Sequence, residues 1–282
     1  MTLGRFSIEQ LSEGFFELFK DGSFTKMDPE RLRHPADDPS LGKYSSAIGI
    51  DPLLISDGST HTLVDTGLGW GLDHNSEYEE SSNVVTNLEI FGLTPDDIDQ
   101  VILTHLHFDH AAGCSRVSDT QHTEATFPNA RYILQKNEWE FALSRQFTKQ
   151  ESPGADYRLD ELYRLKADGR FEMIEGNYQL NDAIKLLHCG GHTPGHQVVK
   201  IQDRGSTAYF LGDLVPTEYH LNHYSMKRID HSPLTAKKTK TLILKEAFKE
   251  KAQLFFYHSL YNKSGQLTKD RHRNYILQKK RS

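Results

Sequence analysis

The chain has 282 residues, of which 37% are hydrophobic and 26% are charged, and its formal net charge is −6. This length is enough to bury a large core, and we expect residues 1–282 to form a single domain. The negative charge gives no bulk attraction to nucleic acid, and no stretch approaches the roughly 18 apolar residues that cross a bilayer. The N-terminus lacks the apolar core of a signal peptide, so we expect a cytoplasmic protein.

The chain predicts short strands and a few amphipathic helices. An Asp-Gly pair at positions 57–58 lies between apolar runs at 52–55 and 61–64, and such a pair is typical of a β-hairpin. Helical spacing and capping residues predict helices over 83–91, 136–146, 157–166 and 235–251. Between the first two of these helices, the sequence predicts buried strands over 99–104 and 130–134 and a polar loop over 114–128.

The second half of the chain repeats the strand pattern. Its four predicted strands are 171–174, 184–188, 197–201 and 207–211. A last buried strand over 254–257 precedes a basic tail, which we interpret as a solvated edge. Two β-rich halves of this kind are buried best by two sheets packed face to face with helices outside, which is an α+β arrangement.

A dense polar cluster directly follows the predicted strand at 99–104. It contains His105, His107, Asp109 and His110, and a divalent metal would satisfy several of these groups at once. His105 and His107 are two residues apart, so their side chains point the same way on an extended backbone. Asp109 and His110 come after the strand has ended and can turn toward a second metal. Solvated loop histidines are the competing interpretation, which this spacing disfavours.

Four more residues of metal-binding type lie at the ends of separate apolar strands: Asp65, His192, Asp213 and His258. Their positions predict one site that they share with the histidine cluster. His196 is expected to pack beneath this site and to hydrogen-bond the backbone. The two cysteines, Cys114 and Cys189, are too few for a disulfide framework, and we interpret both as small buried residues.

This pattern resembles the metallo-β-lactamase-fold hydrolases from Asp65 to His258. The resemblance implies an αββα four-layer sandwich with a two-metal site at one edge. It implies that the first metal is held by His105, His107 and His192. It further implies that the second metal is held by Asp109, His110 and His258, that Asp213 bridges both metals, and that Asp65 orients a ligand histidine.

The implied cofactors are two divalent ions, with zinc favoured and manganese or iron as alternatives. Such a pair lowers the pKa of a shared water, and the resulting bridging hydroxide attacks a small ester. Asp109 and Asp213 are the expected catalytic residues, and either Asp109 or the bridging solvent passes a proton to the leaving group.

The residues 63–69 and 212–217 are similar to YtnP-type quorum-quenching lactonases, and they favour a lactone substrate of the acyl-homoserine-lactone type. Better-known lactonases of this family carry a tyrosine three residues after the bridging aspartate, where this chain has Pro216. The candidate replacements as substrate contacts are Tyr219 and His220, followed by His223 and Tyr224.

Other functions of the same fold remain open at this point. They are a phosphodiesterase or nuclease, a thioester hydrolase or iron-dependent redox enzyme, and a metal-stabilised interaction domain without turnover. The expected partner is a small ester or lactone, with neither nucleic acid nor membrane, and a homodimer is left open.

Overall fold

The computed structural model describes residues 1–19, 24–27, 31, 45–69, 82–117, 122–146, 157–160, 162–222, 226–227 and 229–278. Its strands in these ranges are β1 (Thr2–Leu3), β2 (Phe6–Gln10), β3 (Gly14–Phe19), β4 (Phe24–Lys26), β5 (Ser45–Ile50), β6 (Leu53–Ser56), β7 (His61–Val64), β8 (Gln100–Ile102), β9 (Ser115–Val117), β10 (Thr123–Ala125), β11 (Arg131–Gln135), β12 (Phe171–Ile174), β13 (Tyr178–Gln179), β14 (Ile184–His188), β15 (Gln197–Asp203), β16 (Ser206–Phe210), β17 (Gln253–Phe255), β18 (Ser264–Lys269) and β19 (Tyr275–Leu277). The α-helices are α1 (Val84–Ile90), α2 (Phe108–Ala111), α3 (Lys136–Gln146), α4 (Leu162–Ala167) and α5 (Pro233–Glu250). None of these helices is long and apolar enough to cross a membrane.

Two large sheets dominate the described part of the chain. The first sheet has the strand order β1-β2-β6-β7-β8-β11-β12, and the second has the order β13-β14-β15-β16-β17-β18-β19. A three-stranded sheet, β4-β3-β5, and the hairpin of β9 and β10 complete the described strands.

The centre of the core lies between the two large sheets. Val64, Ile102 and Ile133 of the first sheet pack in the same buried cluster as Val199 and Phe210 of the second. The next residue along each strand faces the other way, because successive side chains in a strand point to opposite faces. Both faces of each sheet are therefore buried, which explains the short, continuous apolar runs in the sequence.

Helices cover the outer face of each sheet. On the first sheet, Leu63 packs with Leu88 of α1 and Trp139 of α3. On the second sheet, Tyr209 packs with Leu244 of α5. The layers therefore run helix, sheet, sheet, helix, and the predicted α+β sandwich is confirmed.

Strand direction decides where the polar cluster lies. β7 and β8 run parallel, so their carboxyl ends meet at one edge of the first sheet. In the second sheet, β14 and β16 are both antiparallel to β15, and β17 is parallel to β16. The carboxyl ends of β14, β16 and β17 therefore also meet at one edge. The predicted site residues all follow one of these five strands.

Three strand predictions were wrong in detail. The strand at 171–174 belongs to the first sheet, where β12 pairs in parallel with β11, and not to the second half. The predicted polar loop over 114–128 contains the hairpin of β9 and β10, whose backbone pairing needs no apolar pattern. Residues 254–257 are not the last strand, because β18 and β19 extend the second sheet into the basic tail.

The helix predictions differ less from the structure. Helices α1 and α3 match their predicted segments, and Asn83 caps α1 by accepting a hydrogen bond from the Thr86 backbone N–H. The helix predicted over 157–166 begins later in the structure, since α4 starts at Leu162 and residues 157–160 are not helical. The segment after β8 is a one-turn helix, α2, where the sequence indicated a loop.

Glu13 fixes the segment that follows β7. Its buried carboxylate accepts hydrogen bonds from the backbone N–H groups of Leu68 and Val84, at 2.8 and 3.2 Å. These bonds join the loop after Asp65 to the beginning of α1. Burial raises the pKa of Glu13 to about 8, although the backbone donors oppose this shift.

Glu13 should make the free energy of unfolding depend on pH. Its pKa is higher in the folded chain than in the unfolded chain, so its contribution is complete below pH 4.5 and declines toward pH 8. The decline is at most about 1.4 kcal/mol per pH unit. Urea unfolding of Glu13→Gln should show a shallower fall between pH 5 and 8 than the wild type. The exposed Glu175→Gln should follow the wild-type slope, and equal slopes for all three proteins would contradict this role of Glu13.

Candidate metal centre

The structure brings all seven predicted ligand side chains together at the sheet edge. Within three groups, potential ligand atoms lie within 4.8 Å of one another. The groups are His105, His107 and His192; His105, His110 and Asp213; and Asp109, His110 and His258. All seven residues are buried, and side chains from both sheets contribute to the cluster.

The segment after β8 supplies four of these side chains through a change of backbone conformation. His107 is extended, with φ −61° and ψ 148°, and it caps the N-terminus of α2. Asp109 and His110 lie in the single turn of α2, where the backbone N–H of His110 bonds to the carbonyl of His107 at 3.0 Å. Because of this change from extended chain to helix, we distinguish two sets of side chains: the first contains His105, His107 and His192, and the second contains Asp109, His110 and His258.

The carboxylate of Asp213 lies between the two groups. Its Oδ2 is 3.2 Å from His192 Nε2, in the first group. Its Oδ1 is 3.4 Å from His110 Nε2 and 3.2 Å from His258 Nε2, in the second group. Each oxygen of this one carboxylate therefore faces a different set of imidazoles, which is the arrangement needed to join two cations.

Several of these buried atoms have no hydrogen-bond partner among the described residues. They include His105 Nε2, His110 Nε2 and Asp213 Oδ1. Asp213 Oδ1 does lie 3.4 Å from His110 Nε2, but a buried polar atom without a well-formed hydrogen bond costs about 1–3 kcal/mol, so a cation at this point would stabilise all three atoms. Imidazole nitrogen and carboxylate oxygen are ligands that suit zinc and related metals. The donor set therefore fits two divalent cations.

In two of the rings, those of His110 and His258, the protein holds the nitrogen that faces away from the cluster. His110 Nδ1 is 2.8 Å from Asp65 Oδ2, and His258 Nδ1 is 2.8 Å from the carbonyl oxygen of Gly49. These contacts leave the Nε2 atom of each ring facing the cluster, and they fix the orientation of the ring. Asp65 thus contacts a candidate ligand in the way that the sequence predicted.

Asp230 gives His192 the same support, which the sequence analysis missed. Its Oδ1 lies 3.0 Å from His192 Nδ1, and the Asp230 side chain is buried. Asp230 lies within a segment that the sequence indicated only as a loop. The spacing of 38 residues from His192 carries no sequence signal of contact.

Glu138 is a second residue that the sequence analysis missed. It lies in α3 and is fully buried, and it accepts hydrogen bonds from the backbone of Leu106 at 3.0 Å and of Gly195 at 3.0 Å. It also accepts one from the hydroxyl of Thr193. Glu138 therefore joins the segment of His105 and His107 to the segment of His192. A charged residue on the buried face of a predicted helix was the available signal.

Burial and neighbouring charges divide the histidines into two classes. Burial, with help from nearby imidazoles, lowers the pKa of His107 and His192 to about 3 and that of His105 well below its usual value. A lowered pKa favours the neutral imidazole, which is the form that binds metal. For His110 and His258, burial lowers the pKa, but the carboxylates around them more than offset this effect and raise it.

The opposite balance holds for Asp213. Burial alone would raise the pKa of this carboxyl group. The neighbouring His258 and His192 rings outweigh burial and hold the pKa well below its usual range. Asp213 is therefore an anion in the cluster and can act as a ligand.

The residues around the cluster follow the sequence interpretation. His196 Nε2 accepts a hydrogen bond from the Asp213 backbone N–H at 3.0 Å, as expected for a ring that packs beneath the site. Cys114 and Cys189 are buried, and burial raises the pKa of each thiol to about 12. Both cysteines are therefore buried thiols that favour the neutral form.

Two of the four candidate substrate residues, Tyr219 and His220, lie in the described part of the chain, and they differ in exposure. Tyr219 has 73% of its surface exposed and does not join the cluster. His220 is partly buried, and Asp213 and His258 are close enough for their charges to influence its pKa. His223 and Tyr224 lie outside the described residues.

Comparison with known proteins places this geometry in a family. The family model described as the Metallo-beta-lactamase superfamily matches residues 49–254. An N-acyl homoserine lactonase of Bacillus cereus is 28% identical over 225 residues, which cover 72% of this chain and 78% of that protein. An N-acyl homoserine lactonase of Bacillus thuringiensis is 32% identical over 134 residues, which cover 47% of this chain and 44% of that protein. The chain thus spans less than half the length of this second relative.

Solved structures share the fold along the whole chain. A probable metal-dependent hydrolase from Staphylococcus aureus has a TM-score of 0.74 and 25% identity, and the match covers 100% of both chains. AidC, a dizinc quorum-quenching lactonase solved with a product, has a TM-score of 0.74 and 21% identity, over 100% of this chain and 97% of that chain. At this identity, the likeness to AidC shows the fold.

Asp65→Asn should weaken metal binding by about 10–100-fold, because an amide cannot accept all the hydrogen bonds that the carboxylate accepts. Asp65 Oδ1 accepts from the Thr104 backbone N–H at 2.7 Å, and Oδ2 accepts from the Thr104 hydroxyl at 2.8 Å and contacts His110. Asp65 has φ +58°, a conformation that asparagine tolerates well, so the variant tests the hydrogen bonds and not the backbone. Metal affinity is measured by competition with a chelator. The exposed Asp96→Asn is the control, and wild-type affinity in Asp65→Asn would contradict the orienting role.

Proposed function

The chain belongs to the metallo-beta-lactamase superfamily and is a hydrolase of that family, and we propose that it uses two metal ions to open a lactone ring. The observation that carries this proposal is the carboxylate of Asp213, whose two oxygens face two separate sets of ligand-type side chains. The lactonase relatives from Bacillus support the substrate class. Residues 1–282 are proposed to act as one domain, since β1 and β19 are edge strands of the two sheets that carry the site.

We assign the ligands in two sets. The first ion would be held by His105, His107 and His192, and the second by Asp109, His110 and His258, with Asp213 shared. Zinc is the proposed metal, because histidine and carboxylate suit it and the site is buried. When bound, such a pair makes water nucleophilic near neutral pH and polarises a carbonyl oxygen.

The balanced reaction needs one proton transfer that the protein must manage. Water oxygen joins the carbonyl carbon, the ring C–O bond breaks, and the ring oxygen must gain a proton to give a hydroxy acid. Asp109 is the proposed carrier, since its carboxylate retains some exposure at the cluster and Oδ2 lies 3.4 Å from His258 Nε2. The Tyr257 hydroxyl donates to the backbone carbonyl of Asp109, so the position of this residue is fixed.

His220 is the proposed substrate contact in place of the tyrosine that Pro216 replaces. Burial, with help from Lys227, lowers the pKa of His220 to about 4, so the ring is neutral near pH 7. His220 Nδ1 lies 2.7 Å from the hydroxyl of Thr217. If Thr217 donates to Nδ1, the ring proton resides on Nε2, which can then donate to a developing oxyanion.

Substrate class and metal content are tested together on the wild-type protein. We expect about two metals per chain by elemental analysis, with hydrolysis of acyl lactones faster than that of simple esters, thioesters and phosphodiesters. Asp213→Ala should lose hydrolysis and retain fewer than two metals, because both oxygens of the shared ligand are removed. The exposed Asp168→Ala serves as the control. Cleavage of a phosphodiester without any lactone would overturn the substrate assignment, and full metal content with full activity in Asp213→Ala would overturn the shared ligand.

His220→Ala should reduce kcat by about 10²–10³-fold, which is typical for loss of one oxyanion donor. Metal content should stay unchanged, because His220 is not among the proposed ligands. His220→Gln should recover part of the loss, since the amide can also donate. The matched comparison is Tyr219→Phe, where the exposed hydroxyl predicts an effect within about twofold. A large loss in Tyr219→Phe with none in His220→Ala would assign the contact to Tyr219.

A further inference from the structure

The segment that follows the candidate substrate residues contacts the loop of His192 and the backbone of Asp213. Its described residues here are Lys227 and 229–232. The backbone N–H of His231 donates to the carbonyl of His192 at 2.9 Å, and that of Ser232 donates to the carbonyl of Gly191 at 2.8 Å. We refer to residues 229–232 as the docking segment, because its backbone lies directly on the loop that carries His192.

Side chains make the attachment specific. Asp230 Oδ1 is 3.0 Å from His192 Nδ1 and also 3.0 Å from the ammonium nitrogen of Lys227. The same ammonium group donates to the backbone carbonyl of Asp213. Lys227 therefore spans two ligand-bearing loops, while Asp230 contacts the ring of one candidate ligand.

The two carboxylates that support ligand rings have different partners. Asp65 accepts hydrogen bonds from the neutral backbone and hydroxyl of Thr104. The charge of Asp230, in contrast, is matched by Lys227, and both side chains are largely buried. The Asp230 contact therefore orients His192 and ties it to the docking segment without adding net charge to the cluster.

We propose that Asp230 is a positioning residue that couples occupancy of the His192 metal to docking of residues 229–232. The inference rests on the proposed function, in which His192 is a metal ligand. A cation on Nε2 fixes the ring and makes Nδ1–H a stronger donor to Asp230. By reciprocity, a segment held on Asp230 strengthens binding of that cation by the same factor.

The competing explanation is that Asp230 and Lys227 only brace the loop, whether or not metal is bound. The two explanations differ in a measurable way. Coupling requires that metal protects the backbone N–H groups of His231 and Ser232, which donate to the His192 loop. A simple brace gives the same protection with and without metal.

The experiment combines metal titration with hydrogen exchange on Asp230→Asn. The wild type should bind two metals, and peptides containing His231 and Ser232 should exchange at least tenfold more slowly when metal is bound. In Asp230→Asn, one metal should bind about 10–100-fold more weakly, the other should bind normally, and the added protection should be lost. Asp168→Asn, at an exposed aspartate directly after α4, should match the wild type in both measurements.

Lys227→Met tests the contact of Lys227 with Asp213 separately from the contact of Asp230 with His192. It keeps the contact between Asp230 and His192 but removes the ammonium group that holds the segment to Asp213. We expect faster exchange at His231 and Ser232 and, by reciprocity, a loss of affinity for one metal that is smaller than the loss in Asp230→Asn. The exposed Lys245→Met on α5 is the control.

The outcomes distinguish this inference from the proposed function. If the wild type binds fewer than two metals, the proposed function is wrong and the coupling falls with it. If the wild type binds two metals and Asp230→Asn binds both with unchanged affinity, only the coupling is wrong. Exchange at His231 and Ser232 that is insensitive to metal would likewise overturn the coupling alone.

Discussion

The structure depends on the burial of anionic and imidazole side chains at a single sheet edge. Asp213 is an anion surrounded by rings that burial would otherwise keep neutral, and several atoms of this cluster have no well-formed hydrogen bond among the described residues. Removal of such groups from water is unfavourable by several kcal/mol unless opposite charge replaces the water. Two cations would supply that charge and stabilise the cluster.

The fold meets this constraint through backbone geometry more than through the ligands themselves. Five strands end at the edge where the site lies, and each delivers its side chain from a rigid sheet. The remaining nitrogen of the rings is then used by Asp65, Asp230 and the carbonyl of Gly49. Glu138 holds two ligand-bearing segments together from the helical layer. Ring orientation is thus set before a cation arrives, which reduces the entropy lost on binding.

The sequence allowed prediction of features formed by residues close together in the chain, and of features whose burial would be unfavourable without a metal. The cluster from His105 to His110 is local, and its cost without metal makes another interpretation difficult. The strands before Asp213 and His258 are continuous apolar runs, because both faces of each sheet are buried. Asp230 and Glu138 could not be assigned, since their partners are distant in sequence and each resembles an ordinary polar residue. Strands β18 and β19 were not predicted for a related reason, because partly exposed strands lack a continuous apolar run.

Most of the ligand residues lie on other parts of the fold than the candidate substrate residues, which suggests how one fold supports different substrates. The ligand residues follow the ends of four strands from both sheets, whereas Tyr219 and His220 lie together on the one connection between β16 and α5. Substitutions at Tyr219 and His220 are therefore expected to alter substrate contacts more than ligand geometry. Pro216 still participates through its backbone, since its carbonyl accepts the His258 N–H at 2.9 Å. Because this contact uses the backbone carbonyl, the side chain at position 216 can change without loss of the hydrogen bond to His258.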